Sequence, residues 1–233
     1  MTATSYQLRR GQIETYFDRT AADAWKRLTS DAPLGRIRAT VRAGRDEMRA
    51  MLLSWLPDDL RGLRLLDAGC GTGTLAIQAA RRGAHVVAVD LSPTLIQHAK
   101  QHIPADLGTG SVEFHSGDML AEDLGRFDHV VAMDSLIHYR AADAVAALTQ
   151  LAARASRSVV FTFAPKTPPL AVMHAMGRLF PRGERAPAIE PVGEKTLSRL
   201  IEQQSSLDGW RKGRTRRVAS GFYKSQGLEL LRA

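Results

Sequence analysis

Leu65-Leu66-Asp67-Ala68-Gly69-Cys70-Gly71-Thr72-Gly73 is the stretch that decides the fold of this chain. An apolar stretch at 63–66 ends at an acid and then at three glycines two residues apart, and a helical pattern begins at once over 74–82. The order reads as strand, tight turn, helix. Glycine is needed where φ must be positive or where a ligand must reach the backbone. The free N–H groups of the helix start then point at whatever occupies the turn. A dinucleotide fingerprint, G-x-G-x-x-G, would place its third glycine at 74, where Thr74 stands.

Downstream the pattern alternates. Apolar runs at 63–68, 85–90, 112–115, 127–134 and 157–164 read as strands, and 74–82, a stretch opening at Ser92-Pro93, and 141–154 read as helices. Ser92 followed by Pro93 is an N-cap with proline at the first helical position. Strands that are apolar nearly throughout, such as 85–90, belong to parallel sheets covered on both faces. Repeated βα units therefore predict an α/β fold with a doubly wound, mostly parallel sheet. Two last strands, 215–223 and 227–231, read as a hairpin joined by Lys224-Ser225-Gln226. Upstream, 35–56 reads as a helix ended by Pro57, with Arg38, Arg42, Arg45 and Arg49 as a basic stripe. The stripe reads first as a solvated face, with anion binding as the sharper alternative. The segment 170–180, bracketed by prolines, reads as an insertion, and 194–204 as a further helix. The expected division is a helical cover over 1–57 and a core over 58–233, interrupted at about 166–192.

Composition bounds the class. A chain of 233 residues fits one large domain or one with a small appendage. The single cysteine, Cys70, excludes an intramolecular disulfide framework and fits a reducing compartment. The first 20 residues lack a signal-like apolar core, and no run approaches a membrane span, so the expected location is cytoplasmic. A formal charge of +8 favours an acidic partner without choosing it. The basic residues read as dispersed and no base-reading module is recognisable, which counts against nucleic acid. The Arg211–Arg217 cluster reads as a solvated loop. No His, Cys and carboxylate cluster has metal-ligand spacing, so no protein-bound metal is expected.

Ligands of doubly wound sheets sit at the carboxyl ends of the strands. There the sequence places Asp67 with Gly69, Gly71 and Gly73, then Asp90 and Leu91, then Asp118 and Met119, then Asp134 with His138 and Tyr139, and last Lys166. Any one strand-end acid is as often a turn former or a cap. Three in step with a glycine loop are not explained by capping. The D-x-G-x-G-x-G motif resembles the first motif of the class I S-adenosylmethionine-dependent methyltransferases. In that reading the glycine loop takes the methionyl end, Asp90 the ribose, and Asp118 with Met119 the adenine.

A closer resemblance rests on Tyr16-Phe17-Asp18, on 24–28, on Leu65 to Gly73 and on Met133-Asp134-Ser135-Leu136-Ile137-His138-Tyr139. It continues through Phe161-Thr162-Phe163-Ala164-Pro165-Lys166-Thr167, through 179–187, and through Ser220-Gly221-Phe222-Tyr223-Lys224-Ser225-Gln226. These segments are similar to the magnesium-protoporphyrin IX O-methyltransferases of chlorophyll and bacteriochlorophyll synthesis. The resemblance implies a seven-stranded sheet ending in a hairpin, S-adenosylmethionine as methyl donor, and a propionate of the tetrapyrrole as acceptor. It also implies the magnesium chelatase large subunit as the source of substrate, and at most peripheral membrane contact. A propionate is ionised at neutral pH, with a pKa of roughly 4–5 by analogy with Glu, so no strong base is needed. Placement and exclusion of water are the useful chemistry. Tyr16 and His138 are the expected catalytic pair, orienting the carboxylate. Lys166, Tyr139, Arg178 and Arg185 are the expected substrate-binding set. The competing readings are a methyltransferase for nucleic acid or another acidic small molecule, and a tetrapyrrole carrier without turnover.

Overall fold

Side chains at successive positions of the central strands point alternately into two separate cores. The strands are β1 (Arg64–Ala68), β2 (His85–Asp90), β3 (Ser111–Ser116), β4 (Phe127–Ala132) and β5 (Ala155–Phe163), all parallel. The hairpin β6 (Trp210–Ser220) and β7 (Tyr223–Arg232) completes the seven-stranded order β3-β2-β1-β4-β5-β7-β6, with β7 antiparallel to β5. The doubly wound, mostly parallel sheet read from the sequence is the one found. The structure is a computed structural model and describes residues 5–20, 35–166 and 189–233.

The helices are α1 (Ser5–Thr15), followed by a π-helical turn (Tyr16–Thr20), α2 (Arg36–Leu53), α3 (Thr74–Ala80), α4 (Pro93–Gln101), α5 (Ala141–Arg154) and α6 (Glu194–Glu202). Leu66, Val87, Val130 and Val159 pack with Leu148 and Leu151 of α5 and with Leu197 and Ile201 of α6. Their neighbours Leu65, Val86, Val131 and Val160 pack with Met48 and Leu52 of α2, Ala76 and Ala79 of α3, and Ile96 and Ala99 of α4. The period of two sorts each strand's residues between the faces.

The helical cover expected over 1–57 is thus two unlike parts. α2 is built into one core layer, whereas α1 and its π-turn lie over the strand ends. α2 also ends earlier than its sequence suggests, at Leu53. The Ser54 hydroxyl donates to the Met51 carbonyl at 2.6 Å, and the chain tightens through Trp55 and Leu56 before Pro57 is reached. The segments 24–28 and 170–180, and Arg178 and Arg185, lie outside the described residues.

Two readings of the C-terminal region are corrected. The hairpin turn is Gly221-Phe222, where Ser220 pairs with Tyr223 and Gly221 has a φ of 54°. Lys224-Ser225-Gln226 belongs to β7 instead, because Ser225 and Gln226 are buried and hydrogen-bonded. The basic cluster is not a loop: it lies in β6, the edge strand, where Lys and Arg discourage pairing with another chain. Arg214 there bonds the buried Glu229 at 2.5 Å. The segments 35–45 and 211–226 hold ten basic residues and no acid, and α2 packs against both β6 and β7; of these residues Arg45, Lys212, Arg214 and Arg216 pair with Asp134, Glu202, Glu229 and Glu47.

Candidate active site

The glycine turn adopts the conformation its composition demands. Gly69, Gly71 and Gly73 have φ of 86°, 56° and 77°, in the left-handed region that side chains disfavour. Gly69 and Cys70 donate their N–H groups to the Val89 carbonyl at 2.8 and 2.9 Å, which folds the turn over the end of β2. A Cβ on Gly69 would lie 2.4 Å from Ser135 Cβ, and one on Gly73 would lie 2.5 Å from Phe114. Asp90 locks the turn from beneath: its Oδ2 accepts from Gly71 N at 2.8 Å and its Oδ1 from Ser92 N at 2.9 Å. Burial raises its pKa, and the N–H groups of Ser92, Gly71 and Leu91 oppose that rise. Ser92 caps α4 as predicted, accepting from Leu95 N at 3.2 Å.

Above the turn lies a cavity of about 710 Å³. Its floor is Gly69, Cys70 and Gly71. One wall is Asp90, Leu91, Asp118 and Met119; the other is Met133, Asp134, Ser135, His138 and Tyr139. These match the expected strand-end residues. Asp67 and Gly73 lie beneath the turn and outside this lining. Burial pushes the Asp67 pKa up to about 7, with the charge of Asp90 adding and the Ala76 N–H and Arg49 opposing. Burial also raises the Cys70 thiol, which disfavours the nucleophilic thiolate form.

The roof comes from the expected N-terminal cover, through residues that the sequence reading did not single out. α1 and the π-turn contribute Tyr6, Ile13 and Phe17, and α2 contributes Arg45. The Tyr6 hydroxyl donates to Asp118 Oδ1 at 2.9 Å, and Arg10 Nη1 donates to Oδ2 at 2.7 Å. The Tyr6 ring stacks on Tyr139 with centroids 4.8 Å apart, and burial pushes the Tyr139 pKa up to about 12. Phe17 meets the buried His138 edge-on at 5.7 Å. Asp18 accepts from Ser92 Oγ and Thr94 N, both at 3.1 Å, and so pins the arm to the start of α4. Tyr16, expected at the reacting group, is half-buried beside Phe17 with centroids 5.2 Å apart, and is absent from the lining. Lys166 is exposed and also outside it. The spacing of Tyr6, Ile13 and Phe17, seven and then four residues apart and so on one helical face, was the signal that could have found these roof residues.

Asp134 was expected to meet the cofactor, and its carboxylate is instead engaged by protein donors. Arg45 Nη1 lies 2.6 Å from Oδ2, Tyr223 OH 3.0 Å from it, and Ser225 Oγ 3.1 Å from Oδ1. The stripe on α2 is therefore not wholly solvated, because Arg45 and Arg49 are largely buried.

The residues present fit a nucleoside-linked sulfonium. Gly69 and Gly73 leave no room for a Cβ at the turn, and Ser135, a lining residue, has a buried hydroxyl with no partner among the described residues. Sheet order, glycine turn and strand-end acids together define a class I S-adenosylmethionine-dependent methyltransferase. Residues 65–157 match the family described as methyltransferase domain, and residues 132–232 match the one described as magnesium-protoporphyrin IX methyltransferase C-terminus. The chain belongs to the magnesium-protoporphyrin O-methyltransferase family. It is 51% identical to the Rhodobacter capsulatus magnesium-protoporphyrin O-methyltransferase over 94% of this chain and 95% of that protein. Identity to the Synechocystis protein of the same name is 31%, over 95% of each. A crystal structure of the Synechocystis magnesium protoporphyrin IX methyltransferase with bound S-adenosylhomocysteine superposes with a TM-score of 0.80, at 31% identity, covering 96% of this chain and all of that one. Among the described residues no group of three or more His, Cys, Asp or Glu is placed to hold a metal, and no helix is long and apolar enough to cross a membrane.

Proposed function

We propose that this chain methylates a propionate carboxylate of magnesium-protoporphyrin IX, giving the monomethyl ester. The observation that carries the reading is the 51% identity to the Rhodobacter capsulatus enzyme along 94% of the chain. Bound in the cavity, S-adenosylmethionine supplies a methyl group on a sulfonium centre. Gly69, Gly71, Asp90, Leu91, Asp118 and Met119 hold it.

The acceptor is already an anion, so the protein has no proton to remove. Its work is orientation and drying. His138, buried at the end of β4, holds the reacting carboxylate. Tyr16 sets the position of Phe17, and through it the face that His138 presents. Burial raises the Tyr16 pKa, which keeps its hydroxyl a donor. Ile13, Phe17, Met119 and Met133 keep water from the reacting atoms, and α1 with its π-turn acts as the cover over the strand ends. Tyr139 offers a ring to the flat macrocycle, and Lys166, with Arg178 and Arg185, serves the second propionate. The magnesium travels with the substrate.

The basic face formed by α2 and β6, with Phe222 exposed at the hairpin tip, supports peripheral contact with an anionic membrane surface. Receipt of substrate from the magnesium chelatase large subunit belongs to the same reading. The test is incubation of purified protein with S-adenosylmethionine and magnesium-protoporphyrin IX, with the ester detected by mass. Folded protein that binds the methyl donor and forms no methyl ester overturns the proposal.

A further inference from the structure

Tyr223 opens β7 just after the hairpin turn and stands behind the cavity wall without lining it. Its ring is buried against α2, where Gly44 makes room for it: a Cβ there would lie 2.5 Å from Tyr223 Cδ1. Its hydroxyl reaches both oxygens of Asp134, 3.1 Å from Oδ1 and 3.0 Å from Oδ2. Burial and the charge of Asp134 raise the Tyr223 pKa well above its ordinary value, so the hydroxyl stays a donor. Arg45, Ser225 and Thr162 donate to the same carboxylate, which makes four donors for about four acceptor sites. The carboxylate is thus engaged by the protein on both oxygens, and what Asp134 contributes to the site is the path of its backbone.

That path leads to His138. Asp134 has a φ of 53°, and Ser135 and a short 3-10 turn, Leu136–His138, follow it directly. Ser135 occupies the N-cap position of that turn, yet its side chain makes no capping bond, so the entry lacks the local restraint a serine there ordinarily gives. Further along, the Ile137 carbonyl accepts from Glu190 N at 2.8 Å. The direction in which the turn leaves β4 is therefore set by Asp134. A strained backbone conformation persists only while its surroundings over-determine it. We infer that Tyr223 is a positioning residue for methyl transfer: by bridging both oxygens of Asp134 it fixes the start of the 136–138 turn, and so the place of His138 at the reacting carboxylate. The inference rests on the reading of His138 as the group that holds that carboxylate. Tyr223 itself touches neither the acceptor nor the methyl donor, and it lies 85 residues beyond His138 in the chain, so no local motif contains the pair.

Tyr223→Phe keeps the ring in its socket and removes the hydroxyl alone. With S-adenosylmethionine and magnesium-protoporphyrin IX, its kcat is expected to fall about ten- to hundredfold, the cost of a misplaced group on the order of 1 Å from its productive position. The decisive measurement repeats the substitution in His138→Ala. Where Tyr223 acts through His138, the double variant turns over within about twofold of His138→Ala alone. Losses that multiply overturn the inference, because Tyr223 then acts on another part of the site or on the fold at large. An unchanged kcat in Tyr223→Phe overturns it as well. Titration with S-adenosylhomocysteine checks that each variant is folded. Should Tyr223→Phe bind none, Ser225→Ala, which withdraws a different donor from Asp134, decides by the same criteria: a kcat loss that vanishes in the His138→Ala background supports the inference, and an absent or multiplying loss ends it. His138→Ala with parental turnover removes the reading of His138 and the inference with it, a failure seen without any change at Tyr223.

Discussion

Arg45 and Asp134 form a 2.6 Å ion pair between α2 and the carboxyl end of β4. The two side chains are only 16% and 4% exposed. Asp134 Oδ1 also accepts from the Thr162 hydroxyl at 3.2 Å, and the Asp134 N–H donates back to Thr162 Oγ1 at 2.7 Å. With Tyr223 and Ser225, one carboxylate joins α2, β4, β5 and β7. It does so at a residue with a φ of 53°, which non-glycine residues seldom adopt and which surrounding bonds must over-determine. Met133 and Ser135, on either side of Asp134, line the cavity. The family-specific stretch around Tyr223 and Ser225 therefore acts on the site from a distance, by fixing the residue that aims its neighbours.

Arg45→Ala leaves the Asp134 carboxylate buried without its countercharge. Breaking such a pair from one side costs about 3–5 kcal/mol. Urea unfolding should show a loss in that range, and Asp134→Asn, which removes the charge as well as the pairing, should not add to it in the double variant. A cost for Arg45→Ala below about 1 kcal/mol, the level of a surface pair, would mean that the pair is peripheral.

Gly69→Ala should separate backbone strain from ligand binding. Its Cβ meets two penalties: a left-handed backbone worth about 1–2 kcal/mol and a 2.4 Å approach to Ser135. Gly62, with a φ of 73° and open space around it, incurs the first penalty alone. Both Ala variants should lose stability, and only the one at Gly69 should lose affinity for S-adenosylhomocysteine, by about tenfold or more. Equal affinities in the two variants would contradict the placement of the turn at the ligand.

The parts of the fold that depend on local pattern were legible, and those that depend on tertiary company were not. The runs at 85–90 and 127–134 are apolar because both faces of the sheet are covered, and the cap at Ser92 is local chemistry. The hairpin turn was misplaced because Ser225 and Gln226 look like turn residues. Their polar atoms are satisfied by Asp134 and Glu194, which lie far off in sequence. Arg45 looked like a solvent residue for the same reason: its partner Asp134 lies 89 positions away, at the end of β4. The acids Asp90 and Asp118 were found by their register, while their engagement by Gly71, Tyr6 and Arg10 required the folded arm. Tyr16 and Phe17 are adjacent aromatics, and sequence alone gave no means of telling which one faces inward.

That last ambiguity is testable. His138→Ala should lower kcat by about ten- to hundredfold, the worth of a hydrogen bond to a charged group, without weakening S-adenosylhomocysteine. Tyr16→Phe should act more weakly, on KM for the tetrapyrrole, because Tyr16 works through Phe17. Phe17→Ala should raise that KM further. Unchanged turnover in both His138→Ala and Tyr16→Phe would remove the assignment of the pair.

The basic face predicts a salt-sensitive interaction. Flotation with vesicles containing phosphatidylglycerol should carry the protein at low salt and release it as salt rises, since exposed charges are screened beyond about 10 Å at 0.1 M. Phe222→Asp should weaken flotation without affecting S-adenosylhomocysteine binding. Equal recovery with neutral vesicles would rule out the electrostatic component.

Asp67 gives a pH dependence whose sign can be worked out. Its carboxyl has an ordinary value of 3.8 and a folded value raised by burial to about 7. The folded state therefore holds this proton more tightly than the unfolded one. The stability it contributes is fully present below pH 3.8 and is lost as pH rises through about 7. Ligand binding runs the opposite way, because the α-ammonium of a methionyl end seated on the glycine turn favours the ionised carboxylate and draws its pKa down. Affinity for S-adenosylhomocysteine should accordingly increase as pH rises through about 7, with proton release on binding below that point. Asp67→Asn should flatten the dependence and stabilise the ligand-free protein at alkaline pH, while leaving any slope that histidines contribute. Titrations across this range in two buffers of different ionisation enthalpy read both affinity and released protons. A slope that survives unchanged in Asp67→Asn would place the titrating group elsewhere.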